Sequence, residues 1–239
     1  MTVTIPLIRA AAIVPAIRWL DANKRSVSMM LDKADLAYVR TSHPNNPIPL
    51  LNAVEFLRDI VRQEGPDTGC RIVSSISMYE LAFIGRVALG GLTIRNAMER
   101  VVDAIPNHCT HEIISVQDVG GAFRIREEWL LTFDDEALHI IHQFFTAILH
   151  SLFRMTGLKP PIIDTVAMCP HPEHGLEHLQ PWLGETIMAS GGPYVDICIS
   201  QTAANTPLRL RQPSETEKFQ FKGIEPLTRN DTLTDSVMV

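Results

Sequence analysis

The sequence predicts an α+β fold, with N-terminal helices followed by a small, mainly antiparallel sheet packed against a long central helix. Three observations support this fold class. Apolar residues recur at helical spacing through much of residues 12–107, alternation typical of strands begins at His111, and residues 134–155 are apolar around nearly the whole circumference of a helix. Runs of helices followed by runs of strands are typical of α+β proteins, whereas alternating units predict a parallel sheet.

The same change of pattern predicts how the chain is divided. We expect a mainly helical lobe at residues 1–107, an α+β lobe of the same domain at residues 108–212, and a linker or tail at residues 213–239. The last stretch is mostly polar and charged and has no regular apolar period, so it is not expected to contribute to a core.

Several helices are predicted in the first lobe. Residues 12–35 predict two short ones, because Pro15 suits a first helical turn and Ser26 is a good N-cap. A longer helix is predicted from Pro49 to a stop at Gly65-Pro66. Its apolar face consists of Leu50, Val54, Leu57 and Val61.

The end of this lobe is also predicted to be helical. Residues 70–90 are mostly apolar and small and include Gly85, Gly90 and Gly91, and we expect them to form a helix. Thr93 then has the position of an N-cap, and the helix that it begins is ended by Pro106.

Two strands and a hairpin open the second lobe. The segments HEIISVQD and AFRIREEWLL are joined by Val119-Gly120-Gly121, which is a hairpin signal. Alternation in the second segment places Phe123, Ile125 and Glu127 on one face, with the neighbouring arginines on the other. After the long helix we expect three short strands, at Ile162–Met168, TIMA and YVDICIS, and one helix at Glu173–Leu183.

The long helix carries the candidate binding residues. One narrow stripe on it is polar and, before Arg154, contains no Lys, Asp or Glu. A fully exposed stripe usually contains more long charged side chains. The composition is compatible with an exposed or internally satisfied face, and also with a subunit interface or the polar side of a pocket. The candidate ligand-binding residues are His139, His142, Gln143, Thr146 and His150.

Composition and motifs exclude several classes of function. The net charge of -6 argues against direct binding of nucleic acid, and no apolar run is long enough to cross a membrane. Four scattered cysteines are typical of a cytoplasmic protein with reduced thiols. No catalytic arrangement, phosphate-binding loop or cofactor motif is present, so we expect no enzyme activity and no cofactor.

One segment contains several residues of the types that bind metals. Cys169, His171, His174 and His178 lie within ten residues of one another. Two prolines interrupt the segment, and the spacing of its last two histidines is that of an ordinary surface helix. We therefore expect a solvated loop and helix start here, and no metal site.

Taken in series, the features from Ile48-Pro49 onward resemble a known family. Gly85 in an apolar segment, the helix start at Thr93–Met98, the strand pair, the long helix and Pro170-His171-Pro172 follow in the same order. This order is similar to that of the N-terminal "arabinose-binding" type domain of AraC-family transcription regulators. The resemblance covers roughly residues 25–210.

The resemblance implies a function for the chain. Such a domain senses a small organic effector in the cytoplasm and forms a homodimer, while DNA is bound only through a C-terminal helix-turn-helix domain that nothing in this sequence matches. We expect the effector to be largely apolar, with one polar or acidic group, and to bind between the long helix and the sheet. An enzyme of unrecognised type acting on a small metabolite is the alternative.

Overall fold

A long helix and a five-stranded sheet form the frame of the protein. The computed structural model describes residues 5–184 and 186–209, and these form ten α-helices and seven strands. The helices are α1 (Val14–Ala22), α2 (Val27–Lys33), α3 (Leu50–Glu64), α4 (Thr68–Ile72), α5 (Ser77–Glu80), α6 (Ala82–Leu89), α7 (Ile94–Ala104), α8 (Asp135–Arg154), α9 (Gln180–Leu183) and α10 (Gln201–Ala204). The strands are β1 (Leu7–Arg9), β2 (Pro47–Pro49), β3 (Glu112–Val119), β4 (Ala122–Trp129), β5 (Ile163–Met168), β6 (Ile187–Ala189) and β7 (Tyr194–Ser200). The predicted α+β fold class is confirmed.

The first helices follow the predicted capping pattern. Pro15 lies in the first turn of α1, and the side chain of Ser26 accepts a hydrogen bond from the amide of Met29 at the start of α2. α3 ends at Gly65, whose φ of 112° is a conformation that side chains other than glycine rarely adopt. The small sheet formed by β1 and β2 was not predicted, since each strand has only three residues.

The helix expected over residues 70–90 is divided into α4, α5 and α6. Ser74 begins the break, and its amide is bound by the hydroxyl of Ser77. Ala82 takes a left-handed φ of 48°, which turns the chain between α5 and α6. A Cβ atom at Gly85 would lie 1.8 Å from the carbonyl oxygen of Met78, so only glycine permits these two helices to pack so closely.

The larger sheet has the strand order β3-β4-β7-β5-β6, and all its neighbouring pairs are antiparallel except β5 with β6. The register pairs Val119 with Ala122, so Gly120 and Gly121 form a two-residue turn, and both have positive φ. This geometry suits the right-handed twist of the hairpin. The inward face of β4 carries Phe123, Ile125 and Glu127, as the alternation predicts.

α8 connects two hydrophobic clusters. Asp134 caps it by accepting a hydrogen bond from the amide of Ala137. Near its start, Ile140 packs among the helices α1 to α3, whereas near its end Leu152 and Phe153 pack against α5 to α7 and the sheet. Its central position agrees with its apolar composition.

Two expectations from the sequence have different outcomes in the last part of the chain. The helix expected at Glu173–Leu183 is shorter, with a 3-10 turn at Glu177–Leu179 followed by α9. The tail predicted at residues 213–239 lies outside the described residues. None of the helices in the described part of the chain combines the length and hydropathy needed to cross a bilayer.

Candidate functional site

A cavity of about 130 Å³ lies between α8 and the inward face of the sheet. Helices α3, α6 and α7 close its remaining sides, and almost all of its lining is aliphatic or aromatic. α8 contributes Ile141, Phe144, Phe145, Ile148, Leu149 and Leu152. The cavity occupies the space between long helix and sheet where the sequence predicts a pocket.

One end of the cavity is polar. Its lining there contains His108, Glu112, Glu127 and Trp129. Glu112 lies opposite Trp129 in the β3–β4 ladder, and Glu127 lies opposite Ile114. Because side chains two residues apart share a face, both carboxyl groups and the indole are on the inward side of the hairpin, with the carboxyl groups as diagonal neighbours.

The polar end contains side chains that are almost fully buried. Glu127 is 2% exposed and His108 is 5% exposed. Among the described residues, no hydrogen-bond partner exists for His108 Nδ1. The carboxyl group of Glu127 interacts with the carboxyl group of Glu112 and with the indole of Trp129. Unpaired buried polar groups are rare in folded proteins, since each costs about 1–3 kcal/mol.

The two carboxyl groups share a perturbed environment. Burial raises the pKa of Glu127 well above its usual value, the charge of Glu112 and a hydrogen bond with that carboxyl group raise it further, and a hydrogen bond from the Trp129 indole lowers it. Burial also raises the pKa of Glu112. Both shifts favour the protonated form of the pair, and two carboxyl groups can hydrogen-bond to each other only through a proton. Burial, helped by the charge of Arg9, lowers the pKa of His108 to about 3, so this imidazole is neutral.

The five candidate residues predicted on α8 lie on another face, and none of them lines this cavity. His139, His142, Gln143 and Thr146 are fully buried inside the chain. His150 is half-buried and lines a separate, open cleft that also contains Arg154 and Trp182. The structure therefore brings four of the five together in the protein interior and leaves one apart.

Most of the buried stripe is bound to the protein's own backbone. Gln143 Oε1 accepts a hydrogen bond from the Cys70 amide at 2.9 Å, and its Nε2 donates to the Pro66 carbonyl at 2.8 Å. His139 Nδ1 lies 2.8 Å from the carbonyl oxygen of Cys169, and the Cys169 amide donates to His142 Nδ1 at 3.3 Å. Burial lowers the pKa of His139 to about 4 and that of His142 to about 3, so both are neutral.

The three histidines that follow Cys169 in the sequence, His171, His174 and His178, lie close together and next to His139. The ring of His139 lies 5.1 Å from that of His178 and 5.3 Å from that of His171, and His171 lies 4.7 Å from His174. His171 Nδ1 accepts hydrogen bonds from two backbone amides of its own loop. Within residues 5–184 and 186–209, no three His, Cys, Asp or Glu side chains are arranged to hold a metal ion.

The polar end of the cavity was not assigned from the sequence, although one signal for it was present. Alternation places Glu127 on the same face as Phe123 and Ile125, which are buried. A glutamate at a core position of a strand is unusual, since charged residues are almost never fully buried without a partner. Glu112 gave no such signal, because its position beside Glu127 depends on the pairing of β3 with β4. His108 gave none either, because it lies in the turn before β3 and reaches the cavity only through tertiary packing.

A mostly apolar cavity with a few convergent polar groups is typical of sites for small organic molecules. The fold that surrounds it is similar to the crystal structure of the transcriptional regulator CdpR from Pseudomonas aeruginosa, with a TM-score of 0.55 over 81% of this chain. The match covers 56% of that regulator's chain, at 10% sequence identity, and at this identity it shows a shared fold. No family model matches this chain, and no curated protein matches it at a significant level.

Proposed function

We propose that this chain is the effector-binding part of a transcription regulator and that the cavity beside α8 receives the effector. The observation that carries the proposal is the cavity itself, which is apolar except at one end, where Glu112, Glu127, His108 and Trp129 present polar groups. The shared fold with a transcriptional regulator supports the regulatory part. The order of motifs that resembles AraC-type sensor domains supports it as well.

The size of the cavity limits the ligand. Its volume of about 130 Å³ is close to that of an engineered apolar cavity of about 150 Å³, in another protein, that binds benzene. An aromatic ring or a short branched alkyl group would fill it, while a polar group of the ligand would lie at the carboxyl end. Burying such a ligand supplies most of the binding free energy, and the polar end supplies orientation.

Ligand-induced stabilisation tests the binding function. Thermal unfolding would be measured with toluene and with a panel of small alcohols, amines and carboxylic acids. A ligand at about 100 times its dissociation constant stabilises a fold by about 2.7 kcal/mol, which is roughly 5–10 °C for a domain of this size.

Replacing two alanines by leucine, one in the cavity lining and one outside it, makes the test specific to the cavity. Ala88→Leu would fill part of the cavity and should abolish the stabilisation, because Ala88 lines it. Ala16→Leu is the matched control, since Ala16 is equally buried but does not line the cavity. A shift that persists in Ala88→Leu, or no shift from any compound, would contradict the proposal.

The paired carboxyl groups favour one alternative, an enzyme acting on a small metabolite. Glu112 and Glu127 have raised pKa values at the end of a pocket, which is an arrangement that acid–base catalysts use. Any compound that stabilises the protein should be incubated with it and recovered. Recovery of unchanged compound supports a sensor, whereas conversion that is lost in Glu127→Gln supports an enzyme.

The link to transcription, the homodimer and the cytoplasmic location are parts of the proposal that need their own test. The gene sequence around codons 1–239 would show whether a basic segment with two helix-turn-helix units shares the reading frame. If it does, a reporter gene under that regulator's promoter should respond to a ligand found by thermal shift. The response should be lost in Ala88→Leu and kept in Ala16→Leu.

A further inference from the structure

The polar end of the cavity is acidic and lacks a cation. Of the ion pairs among the described residues, none involves Glu112 or Glu127. Arg9 is the nearby cation that affects His108, but it is not part of the cavity lining. Its guanidinium donates to the backbone carbonyls of Asn107 and Asn45. A pair of buried carboxyl groups without a counter-ion is costly, and a ligand cation would reduce that cost.

Apart from the Trp129 indole, which donates to Glu127, the polar groups at this end can accept hydrogen bonds from a ligand. They are the carboxyl oxygens of Glu112 and Glu127 and, in one tautomer, His108 Nδ1, which is buried and has no partner among the described residues. An ammonium group has three donors and no acceptor, so it matches such a set. A carboxylate would place a further negative charge beside two carboxyl groups, and a hydroxyl group has one donor.

We propose that the cavity binds an apolar molecule that ends in a primary or secondary amine, with its ammonium group held between Glu112 and Glu127. This inference rests on the proposed function, because it requires that the cavity is a ligand site. An amine is one of the polar groups that the sequence analysis allows, and its choice excludes the acidic groups.

Binding of the amine should release a proton from the two carboxyl groups. In the empty site the two carboxyl groups hydrogen-bond to each other, which requires a proton between them, and burial favours that protonated form. An entering ammonium ion favours the charged carboxylates, so a proton leaves the pair for solvent as the cation binds. Neighbouring groups do not supply this proton near neutral pH. His108 has a pKa lowered to about 3, Cys109 has a pKa raised by burial, and Arg9 remains charged.

Three ligands of nearly equal shape test the proposal by isothermal titration calorimetry on the whole chain. The probes are benzylamine, benzyl alcohol and benzoate, each with one ring to fill the cavity. We expect benzylamine to bind at least tenfold more tightly than the other two. Its apparent enthalpy should depend on the ionisation enthalpy of the buffer, because binding releases a proton, whereas that of benzyl alcohol should not.

Variants of the two carboxyl groups identify the binding atoms. Glu127→Gln and Glu112→Gln should each weaken benzylamine at least tenfold and leave benzyl alcohol within about threefold. Glu128→Gln is the matched control, because Glu128 is the next residue of β4 and points away from the cavity, towards Arg126. Thermal unfolding would confirm that each variant is folded. Because Glu127→Gln and Glu112→Gln test the same pair of carboxyl groups, one of them is sufficient if the other does not fold.

The outcomes separate this inference from the proposed function. If benzyl alcohol or benzoate binds as well as benzylamine, and Ala88→Leu abolishes that binding, the cavity is a ligand site and the amine inference is wrong. If benzylamine binds with the same affinity to Glu127→Gln and Glu112→Gln, the inference is also wrong. If no probe binds, the proposed function and this inference fail together.

Discussion

Two polar side chains on the same stripe of α8 should have opposite effects on stability when they are replaced. Gln143 makes hydrogen bonds of 2.8 and 2.9 Å to the backbone of Pro66 and Cys70. Thr146, one turn later, is fully buried, and its hydroxyl oxygen has no partner among the described residues. The first side chain joins the start of α4 to α8, whereas the second contributes only an unsatisfied polar atom.

The expected magnitudes follow from these contacts. Gln143→Leu removes both hydrogen bonds and leaves the Pro66 carbonyl without that donor, while the Cys70 amide keeps a 3.1 Å bond to Asp67. Each lost bond costs about 1 kcal/mol, and a buried group left unpaired costs somewhat more, so we expect a loss of about 2–3 kcal/mol. Thr146→Val keeps the shape and removes the buried hydroxyl, so we expect no loss and a gain of up to about 1–2 kcal/mol.

Thermal and urea unfolding followed by circular dichroism measure both effects. For a domain of this size, Gln143→Leu should lower the Tm by roughly 4–12 °C, and Thr146→Val should leave it unchanged or raise it by a few degrees. The slope of the urea transition should be the same in all three proteins. A destabilising Thr146→Val would refute the reasoning, because it would mean that the hydroxyl has a functional or structural partner.

Three further results are expected. The pKa of both Glu112 and Glu127 is raised, so their contribution to stability is fully present below about pH 4.5, where the unfolded chain is also protonated, and is lost as pH rises towards and beyond neutrality. In urea unfolding from pH 5 to 8, the free energy of unfolding should fall less in Glu127→Gln than in the wild type. Parallel curves for the two proteins would contradict the assignment. Gly69→Ala should destabilise by about 1–3 kcal/mol in urea unfolding, because the new Cβ would lie 2.5 Å from Gln143 Oε1, and an unchanged midpoint would show that Gln143 moves freely. Light scattering at micromolar concentration should give about twice 26.7 kDa if the chain dimerises as proposed, and the mass of one chain at every concentration would exclude the dimer.

The parts of the fold that could be predicted are those in which the cause is local. The caps at Ser26 and Thr93 and the two-glycine turn depend on a few neighbouring residues, and the structure has them as expected. The division of residues 70–90 into three helices could not be predicted, because part of it, the packing of α5 against α6, brings Gly85 against the Met78 carbonyl. That contact arises only when α5 and α6 pack together.

The candidate site was only partly predictable for the same reason. The composition of the α8 stripe is compatible with an exposed face, an internally satisfied face, a subunit interface or a pocket, and the structure buries four of its five candidate residues. Their partners could not be deduced, because Gln143 binds atoms 73 and 77 residues earlier in the chain, and His139 binds an atom 30 residues later. Composition does not distinguish such backbone partners from a ligand.

Glu127 is the residue where stability and the proposed function are in conflict. It lies at an inward position of β4, between buried apolar neighbours on the same face, yet it carries a carboxyl group that binds no cation among the described residues. A buried acid of this kind destabilises the folded protein, and an apolar or amide side chain at the same position would avoid the cost. Local choices that oppose the fold are expected at binding sites, where a ligand offsets them, and are not expected in a purely structural core. The cavity beside Glu127 gives that ligand a place, so the same carboxyl group that weakens the empty protein would make its stability depend on the bound amine.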